Sequence, residues 1–278
     1  MIIQSDWHIH TENSYDASLP LKGIAENARK FGFKKIGITD HANFNDEKFL
    51  GDLNNSVQNV KYLQKIYPEI VLGVELTPIE KPEFDYIEKH GTRDGYVPPI
   101  CDRPYDIELA QTKEQLMSMG VRYAIGGAHW RVDVPYAKNL QSDIGTVINE
   151  WYRQQMWLIC DERVTILGHP WYNGKALWYD DFSVIPKGMN ADIAAALKEN
   201  KKYVECNEGV LCNEKTSEKF RIQYAEFMRE LFEMGIPVTY GSDSHIHYAQ
   251  YHTEMEKILA SVGFKPGDIS GIDDTDLW

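Results

Sequence analysis

Seven apolar segments alternate with segments of helical periodicity along this chain, and this alternation limits the folds open to it. Buried strands are predicted at residues 1–5, 35–39, 70–76, 122–128, 164–168, 203–207 and 236–241. Helices are predicted at residues 19–32, 46–67, 112–120, 141–161, 189–200, 216–235 and 250–262. Strands that alternate with helices favour a parallel sheet with right-handed crossovers. The fold class is therefore α/β, either as an open doubly wound sheet or as a closed barrel.

Two connections are longer than the turns between the other elements. Residues 77–111 contain five prolines, scattered charges and no clear period, and residues 170–188 are rich in Trp and Tyr. Connections of this length are usually functional. We predict a single domain over residues 1–278, with inserted loops at 77–111 and 170–188 near the barrel mouth and a peripheral acidic tail at 268–278.

The chain carries 42 acidic and 29 basic side chains, which gives a formal net charge of −13 at pH 7. This acidity argues against binding to nucleic acid or to a membrane surface, since both favour basic faces. Phosphorylated small molecules stay open as substrates, because bound metal cations reverse the charge of a pocket locally. The four cysteines show no Cys-x-x-Cys spacing, and there is no signal-peptide pattern or apolar run of about 18 residues. We expect a cytoplasmic protein with reduced thiols; the sequence gives no indication of its oligomeric state.

His8-Ile9-His10 follows the first predicted strand. Residues two apart on a strand point to the same face, so the two imidazoles would lie side by side, as a metal requires of a ligand pair. A His-x-His motif also occurs by chance. Its weight depends on whether other ligand types follow the remaining strands.

Such residues do follow most of the predicted strands. The candidate ligands are His8, His10, Asp16, His41, Glu75, His129, His169, Asp243 and His245. Six of the nine histidines are in this set, whereas His90 and His252 fit solvated surface positions and the role of His247 stays open. An open sheet draws its site from few strands, but a barrel brings all its strand ends to one mouth. The pattern therefore favours a TIM-like barrel.

Mixed imidazole and carboxylate ligands suit Zn, Mn or Fe. The absence of cysteine from the set argues against a closed structural zinc site. Nine ligands exceed the needs of one ion, and a carboxylate such as Glu75 can bridge two, so two or three divalent ions are expected. Two ions about 3.5–4 Å apart would hold a hydroxide between them and clamp the attacking and leaving oxygens of a displacement.

The motifs around these residues resemble those of the polymerase and histidinol phosphatase (PHP) family. The similarity rests on His8-Ile9-His10-Thr11, Asp16, Thr39-Asp40-His41, Gly73-Val74-Glu75, Gly127-Ala128-His129, Gly168-His169-Pro170 and Gly241-Ser242-Asp243-Ser244-His245. The motifs span residues 1–245, which is nearly the whole chain. The resemblance implies a distorted seven-stranded (β/α)7 barrel with a trinuclear metal site and, in most members, phosphoesterase activity.

The resemblance also implies how the ligands are divided among three metals. One ion would be held by His8, His10, Glu75 and Asp243, a second by Asp16, His41 and His245, and a third by Glu75, His129 and His169. Relatives carry His or Asp at the Asp16 position, and Asp there favours Mn or Fe over Zn. The segments 77–111 and 170–188 are longer than in compact members, so the substrate does not carry over.

Groups that could hold a substrate follow several strands. The candidates are Arg131, Lys175, Asn43 and Asn207. Arg131 comes two residues after His129, and its guanidinium would bind a phosphate in a bidentate manner. The aromatic residues Trp130, Trp171 and Tyr172 could wall the pocket, although such residues more often pack in a core. Catalytic roles are expected for Arg131, Asp243 and His245.

We expect a metal-dependent phosphoesterase that hydrolyses a small phosphate monoester, in the manner of a histidinol phosphatase, by in-line attack of a metal-bridging hydroxide. Two alternatives use the same metals on another bond, as a phosphodiesterase or nuclease, or as an amidohydrolase-type enzyme for C–N bonds. Amidohydrolases also carry His-x-His on their first strand, but His41 and the Asp243-x-His245 pair favour the phosphoesterase. A metal-stabilised barrel without activity is the third alternative, and the size of the ligand set argues against it.

Overall fold

The computed structural model describes residues 1–99, 104–129, 143–172, 178–269 and 271–278. Its strands are β1 (Ser5–Asp6), β2 (Lys35–Ile38), β3 (Ile70–Leu72), β4 (Val74–Leu76), β5 (Ile79–Glu80), β6 (Ile107–Glu108), β7 (Ala124–Gly126), β8 (Ile166–Leu167), β9 (Tyr203–Asn207) and β10 (Val238–Gly241). Its α-helices are α1 (Leu21–Phe31), α2 (Glu47–Leu63), α3 (Lys81–His90), α4 (Lys113–Met119), α5 (Ile144–Cys160), α6 (Lys187–Glu199), α7 (Glu208–Leu211), α8 (Glu218–Glu233) and α9 (His252–Ser261).

The main strands form a ring of parallel neighbours. One sheet has the order β1-β2-β3 and another the order β4-β7-β8-β9-β10, and only Gly73 separates β3 from β4. The ring is completed by backbone hydrogen bonds from Trp7 N to Tyr240 O (2.9 Å) and from Asp243 N to His8 O (2.8 Å). The fold is therefore the predicted α/β type, a distorted TIM-like (β/α)7 barrel in which β3 and β4 share one strand position.

An aromatic side chain fills the interior of this narrow ring. Tyr123 is fully buried, and its hydroxyl donates to Trp7 O at 2.7 Å. A Cβ atom added at Gly37 or Gly73 would overlap the Tyr123 ring or hydroxyl. Glycines at these two inward-facing positions thus make room for Tyr123, and the close packing leaves the opposite end of the strands for polar groups.

The predicted helices are found with small shifts at their ends, and their caps explain where they begin. Thr112 is the N-cap of α4 and forms a complete capping box with Gln115. Asp46 caps α2 by accepting from Phe49 N at 3.0 Å. The buried face of α2 carries Leu53, Val57 and Val60 at helical spacing.

Residues 77–111 are more regular than the sequence indicated. They contain α3 and an antiparallel pair of short strands, β5 and β6. Pro82 lies in the first turn of α3, where the missing amide hydrogen costs nothing, and Gly91 ends the helix in the left-handed conformation. The described parts of this segment, residues 77–99 and 104–111, thus form a folded layer beside the barrel rather than an irregular loop.

The C-terminal residues are not peripheral, contrary to the prediction for 268–278. Ile272 is buried, and Trp278 N donates to Arg122 O at 2.7 Å. The hydroxyl of Tyr203 donates to Asp276 at 2.6 Å. Arg122 and Tyr203 lie at the amino ends of β7 and β9, so this segment closes the end of the barrel away from the predicted ligands.

No helix in the described part of the chain is long and apolar enough to cross a membrane.

Candidate metal centre

The nine predicted ligands lie together at the carboxyl ends of the strands. Glu75 is in β4, and the other eight residues are in the segments that follow β1, β2, β7, β8 and β10. These residues form three groups, and within each group the candidate ligand atoms all lie within 4.8 Å of one another. The groups are His8, His10 and Asp243; His10, Asp16, His41 and His245; and Glu75, His129 and His169. We call these groups one, two and three.

Glu75 is the centre of this cluster. Its Oε2 lies 3.2 Å from His8 Nε2, from His10 Nε2 and from His41 Nδ1. Its Oε1 lies 2.8 Å from His169 Nε2 and 3.2 Å from His129 Nε2. One buried carboxylate therefore faces five imidazoles contributed by four different strand ends.

The donor atoms of this cluster fit divalent cations. His8 Nε2 and His10 Nε2 are only 3.1 Å apart, which is close enough for both ring nitrogens to bind the same cation. Within the described residues, His10 Nδ1, His41 Nδ1, His169 Nδ1 and Glu75 Oε2 are buried without a hydrogen-bond partner. Buried polar atoms are costly unless they are paired or coordinate metals. The mixture of imidazole nitrogen and carboxylate oxygen is one that divalent metal ions accept as ligands.

The cluster is also electrostatically coupled. Burial alone would lower the pKa of His10, but the Asp243 and Glu75 carboxylates beside its Nε2 raise that pKa to about 9. Burial would raise the pKa of Glu75, but the surrounding histidines, His129 first among them, hold it well below its ordinary value. His129 behaves oppositely, since burial lowers its pKa to about 3. A divalent cation would replace the protons that these ion pairs otherwise share.

Backbone strain occurs at two of the predicted ligands. His169 and Asp243 have positive φ angles of 25° and 50°, a region that residues other than glycine seldom adopt. His169 also precedes a proline, which restricts its backbone further. Strain of this kind persists where surrounding contacts fix a functional geometry.

Asn207 contacts the cluster through Asp243. Its Nδ2 donates to Asp243 Oδ2 at 3.2 Å, and its Oδ1 accepts from Val210 N at 2.9 Å, which caps α7. Both polar atoms of Asn207 thus bond to the protein itself. This arrangement supports a positioning role for Asn207; its predicted substrate contact stays a prediction.

The other predicted substrate residues are placed unevenly. Asn43 is fully buried beside the Tyr15 hydroxyl. Arg131, Lys175 and Trp130 lie outside the described residues. Tyr172 packs edge-on against the His169 ring at 5.3 Å, so it borders the site.

Three further residues complete or correct the predictions made from the sequence. Trp171 is fully buried and contacts Trp178, which makes it a packing residue. His247 is exposed and outside the three ligand groups. His252 is buried against Phe31 and Phe33, contrary to the predicted surface position.

Glu205 is a further residue of this cluster, and it was not among the residues predicted from the sequence. It is buried in β9, and its Oε1 lies 2.7 Å from His8 Nδ1. The available signal was a charged residue within an apolar strand, two positions before Asn207 and hence on the same face. A buried carboxylate of this kind requires partners, and its partners lie in the metal centre.

A cavity of about 910 Å³ borders the cluster. Tyr15 lines it, and its ring stacks on the His41 ring with centroids 5.2 Å apart. The cavity walls also include Phe44, Glu80 and Glu83. This space therefore begins beside group two and extends along the layer formed by α3.

A family profile described as the PHP domain matches residues 6–209. Among solved structures, the histidinol phosphate phosphatase from Lactococcus lactis subsp. lactis, complexed with zinc, L-histidinol and phosphate, is 18% identical with a TM-score of 0.63. The alignment covers 99% of this chain and 98% of that one. The metal-dependent tyrosine phosphatases YwqE from Bacillus subtilis and CpsB from Streptococcus pneumoniae match at 15% identity, with a TM-score of 0.42 over 97% and 99% of the two chains. No curated protein matched the chain.

Proposed function

Because the chain belongs to the PHP family, whose profile covers residues 6–209, we propose that it is a metal-dependent phosphoesterase that hydrolyses a small phosphate monoester. The observation that carries this proposal is the convergence of eight further histidine and carboxylate side chains around Glu75. An arrangement that only stabilised the fold would need fewer ligands and no exposed edge. Here Asp16, Asp243 and His245 have partly exposed side chains, which leaves one side open to a substrate.

We propose that three divalent ions, Zn, Mn or Fe, bind to this cluster. Group one would hold the first ion together with Glu75. The second ion would be bound by three residues of group two, Asp16, His41 and His245. Group three would hold the third ion. When bound, such ions activate water as a nucleophile and neutralise the charge of a phosphoryl group.

The chain's own residues would orient and charge-balance the reacting groups. Glu75 keeps five imidazoles in one constellation through its two oxygens. Asn207 holds Asp243 at the exposed edge. His245 Nδ1 lies 2.9 Å from Asp243 O, which fixes its ring and leaves Nε2 facing Asp16 at 3.5 Å. Arg131 would bind the substrate phosphate, as the sequence predicts.

The cavity beside Tyr15 would receive the organic part of the substrate. Its volume of about 910 Å³ suits a small metabolite. Its walls combine aromatic rings with five acidic and two basic side chains, and Arg93 pairs with Glu83. This excess of acidic groups disfavours polyanions such as nucleic acid. Histidinol phosphate, other small phosphorylated metabolites and phosphotyrosyl peptides are the candidates.

The test is a phosphatase screen of small phosphorylated metabolites, with elemental analysis of the same protein sample. We expect divalent metal in the purified protein and release of phosphate from at least one monoester. Comparing p-nitrophenyl phosphate with bis-p-nitrophenyl phosphate separates a monoesterase from a diesterase. A metal-loaded protein that cleaves no monoester would contradict the proposal.

A further inference from the structure

Glu205 connects two of the three ligand groups by hydrogen bonds. Its Oε1 lies 2.7 Å from His8 Nδ1, and its Oε2 accepts from the backbone N of His169 at 2.5 Å. His8 belongs to group one and His169 to group three. The Glu205 side chain is 1% exposed, so these contacts are shielded from water.

We propose that Glu205 is the positioning residue that orients His8 and His169 for metal binding and so couples the affinities of groups one and three. The proposal rests on the metal centre of the proposed function. It assigns Glu205 no contact with substrate or metal.

The contact with His8 selects one form of its imidazole. A carboxylate at Nδ1 accepts the Nδ1 hydrogen, which leaves the Nε2 lone pair for a metal. His8 Nε2 is the atom that faces His10, Glu75 and Asp243, at 3.1, 3.2 and 3.5 Å respectively. Glu205 therefore stabilises the orientation in which His8 completes group one.

The contact with His169 supports a strained backbone. His169 has a φ angle of 25° and is followed by Pro170, so its conformation needs outside stabilisation. Charge-assisted hydrogen bonds to a backbone amide are about twice as strong as neutral ones. The bond from His169 N to Glu205 thus helps to hold the His169 ring against Glu75 Oε1 at 2.8 Å.

Gly241 provides the space that this carboxylate occupies. It lies in β10, next to β9 in parallel register. A Cβ atom at this position would overlap the Glu205 carboxylate and crowd His8 Cβ. Gly241→Ala should therefore displace Glu205 without changing its charge. Because the added methyl group also crowds His8, the ion of group three, whose ligands it does not crowd, reports on the displacement of Glu205.

The experiment measures metal binding rather than activity alone. Wild type, Glu205→Gln and Gly241→Ala are freed of metal by chelation and titrated with Mn²⁺ or Zn²⁺, and bound ions per chain are counted by elemental analysis. Each of the two hydrogen bonds of Glu205 uses its own carboxylate oxygen as the acceptor. Glutamine has a single acceptor oxygen, so Glu205→Gln loses at least one of these two hydrogen bonds. Glu208→Gln is the matched control. Glu208 is also a buried carboxylate and lies three residues after Glu205, but it accepts hydrogen bonds from Tyr240 and Tyr251 and not from a candidate ligand.

We expect metal affinity at groups one and three to fall about 10- to 100-fold in both variants, as for other outer-shell partners of metal ligands. The ion of group two is retained, because the two hydrogen bonds of Glu205 go to the other groups. Excess metal then restores both occupancy and activity, which global unfolding would not allow. If one variant fails to fold, the other carries the test.

Wild-type metal affinity in the folded variants would overturn the role of Glu205 and leave the proposed function intact. A uniform loss of all ions, including that of group two, would also overturn it. A wild-type protein that binds no divalent metal would instead overturn the proposed function, and this inference with it.

Discussion

At the scale of single residues, the candidate site depends on one buried carboxylate that faces five histidines. Glu75 lies in the middle of a strand, and its partners come from other strand ends. Removing one partner of such a cluster leaves buried charge uncompensated, which is costly. The loss of a ligand should therefore lower metal content and activity together.

His8→Ala and His245→Ala test this expectation. His8 belongs to group one and is buried, whereas His245 belongs to group two and is partly exposed. Each variant should lose bound metal. Loss of a residue that only contacts a metal ligand lowers activity by up to about 100-fold, and we expect loss of a ligand itself to lower kcat/KM by more than this. The measurement is elemental analysis beside phosphatase kinetics.

His90→Ala is the matched control, because His90 is exposed and stacks on Tyr86. Full activity in either His8→Ala or His245→Ala would contradict the proposed ligand assignment.

The sequence was sufficient to predict that the candidate ligands lie close together, while their binding of metal stays a prediction. Most of them were recognisable as candidates from their own positions, since His41 and His169, for example, each follow an apolar strand. Glu205 was not, because its partners are brought to it by the packing of neighbouring strands. The surface prediction for His252 was wrong for a similar reason, since Phe31 and Phe33 cover it from another element.

At the scale of elements, strands and helices with regular periods were predictable and short segments were not. β9 was predicted at its observed bounds, residues 203–207. The strands β5 and β6 have two residues each, which is too short to show a periodic pattern. They pair with each other although α3 lies between them in the sequence, so a local pattern could not predict this pairing. The one-turn helix α7 was also missed, although it places Glu208 in a buried position.

Glu208 gives a prediction for stability against pH. Burial raises its pKa to about 7 from an ordinary value of 4.5. A raised pKa in the folded state stabilises the fold below the unfolded pKa, and this contribution is lost as pH rises to about 7. The shift corresponds to about 3 kcal/mol, so metal-free wild type should lose roughly 2 kcal/mol more than Glu208→Gln between pH 5 and pH 8.

Urea unfolding of the metal-free proteins at both pH values measures this difference. The titration of the histidine cluster is common to both proteins and cancels in the comparison. Glu214→Gln is the control, because Glu214 is exposed and should reproduce the wild-type profile. Equal pH dependence in Glu208→Gln and wild type would exclude this role for Glu208.

At the scale of the whole molecule, the barrel was predicted from two patterns taken together. Alternating strands and helices gave the fold class, and the ligands after the strands favoured closure over an open sheet. The sequence did not indicate how the ring is filled, because the fit of Tyr123 against Gly37 and Gly73 depends on three strands in register. The C-terminal segment was mispredicted because its buried groups contact the amino ends of strands far away in sequence.

Apolar packing closes the barrel at the amino ends of its strands. The carboxyl ends hold buried histidines and carboxylates, and several of their polar atoms are left without a hydrogen-bond partner among the described residues. Among the residues that the structure describes, Glu75 Oε2 and His10 Nδ1 are buried without a hydrogen-bond partner. Metal ions that bind only the folded state should therefore contribute to global stability.

Removal of metal should lower the melting temperature. One ion at 100 times its Kd stabilises the folded state by about 2.7 kcal/mol, which for a chain of this size corresponds to roughly 5–10 °C. Differential scanning calorimetry of the loaded protein, of the chelated protein and of the chelated protein after return of Mn²⁺ measures the shift. His8→Ala should show a smaller shift than wild type, because group one is then incomplete. Identical melting temperatures with and without chelator would mean that the histidine and carboxylate cluster is stable without metal, and would remove the energetic basis for the proposed centre.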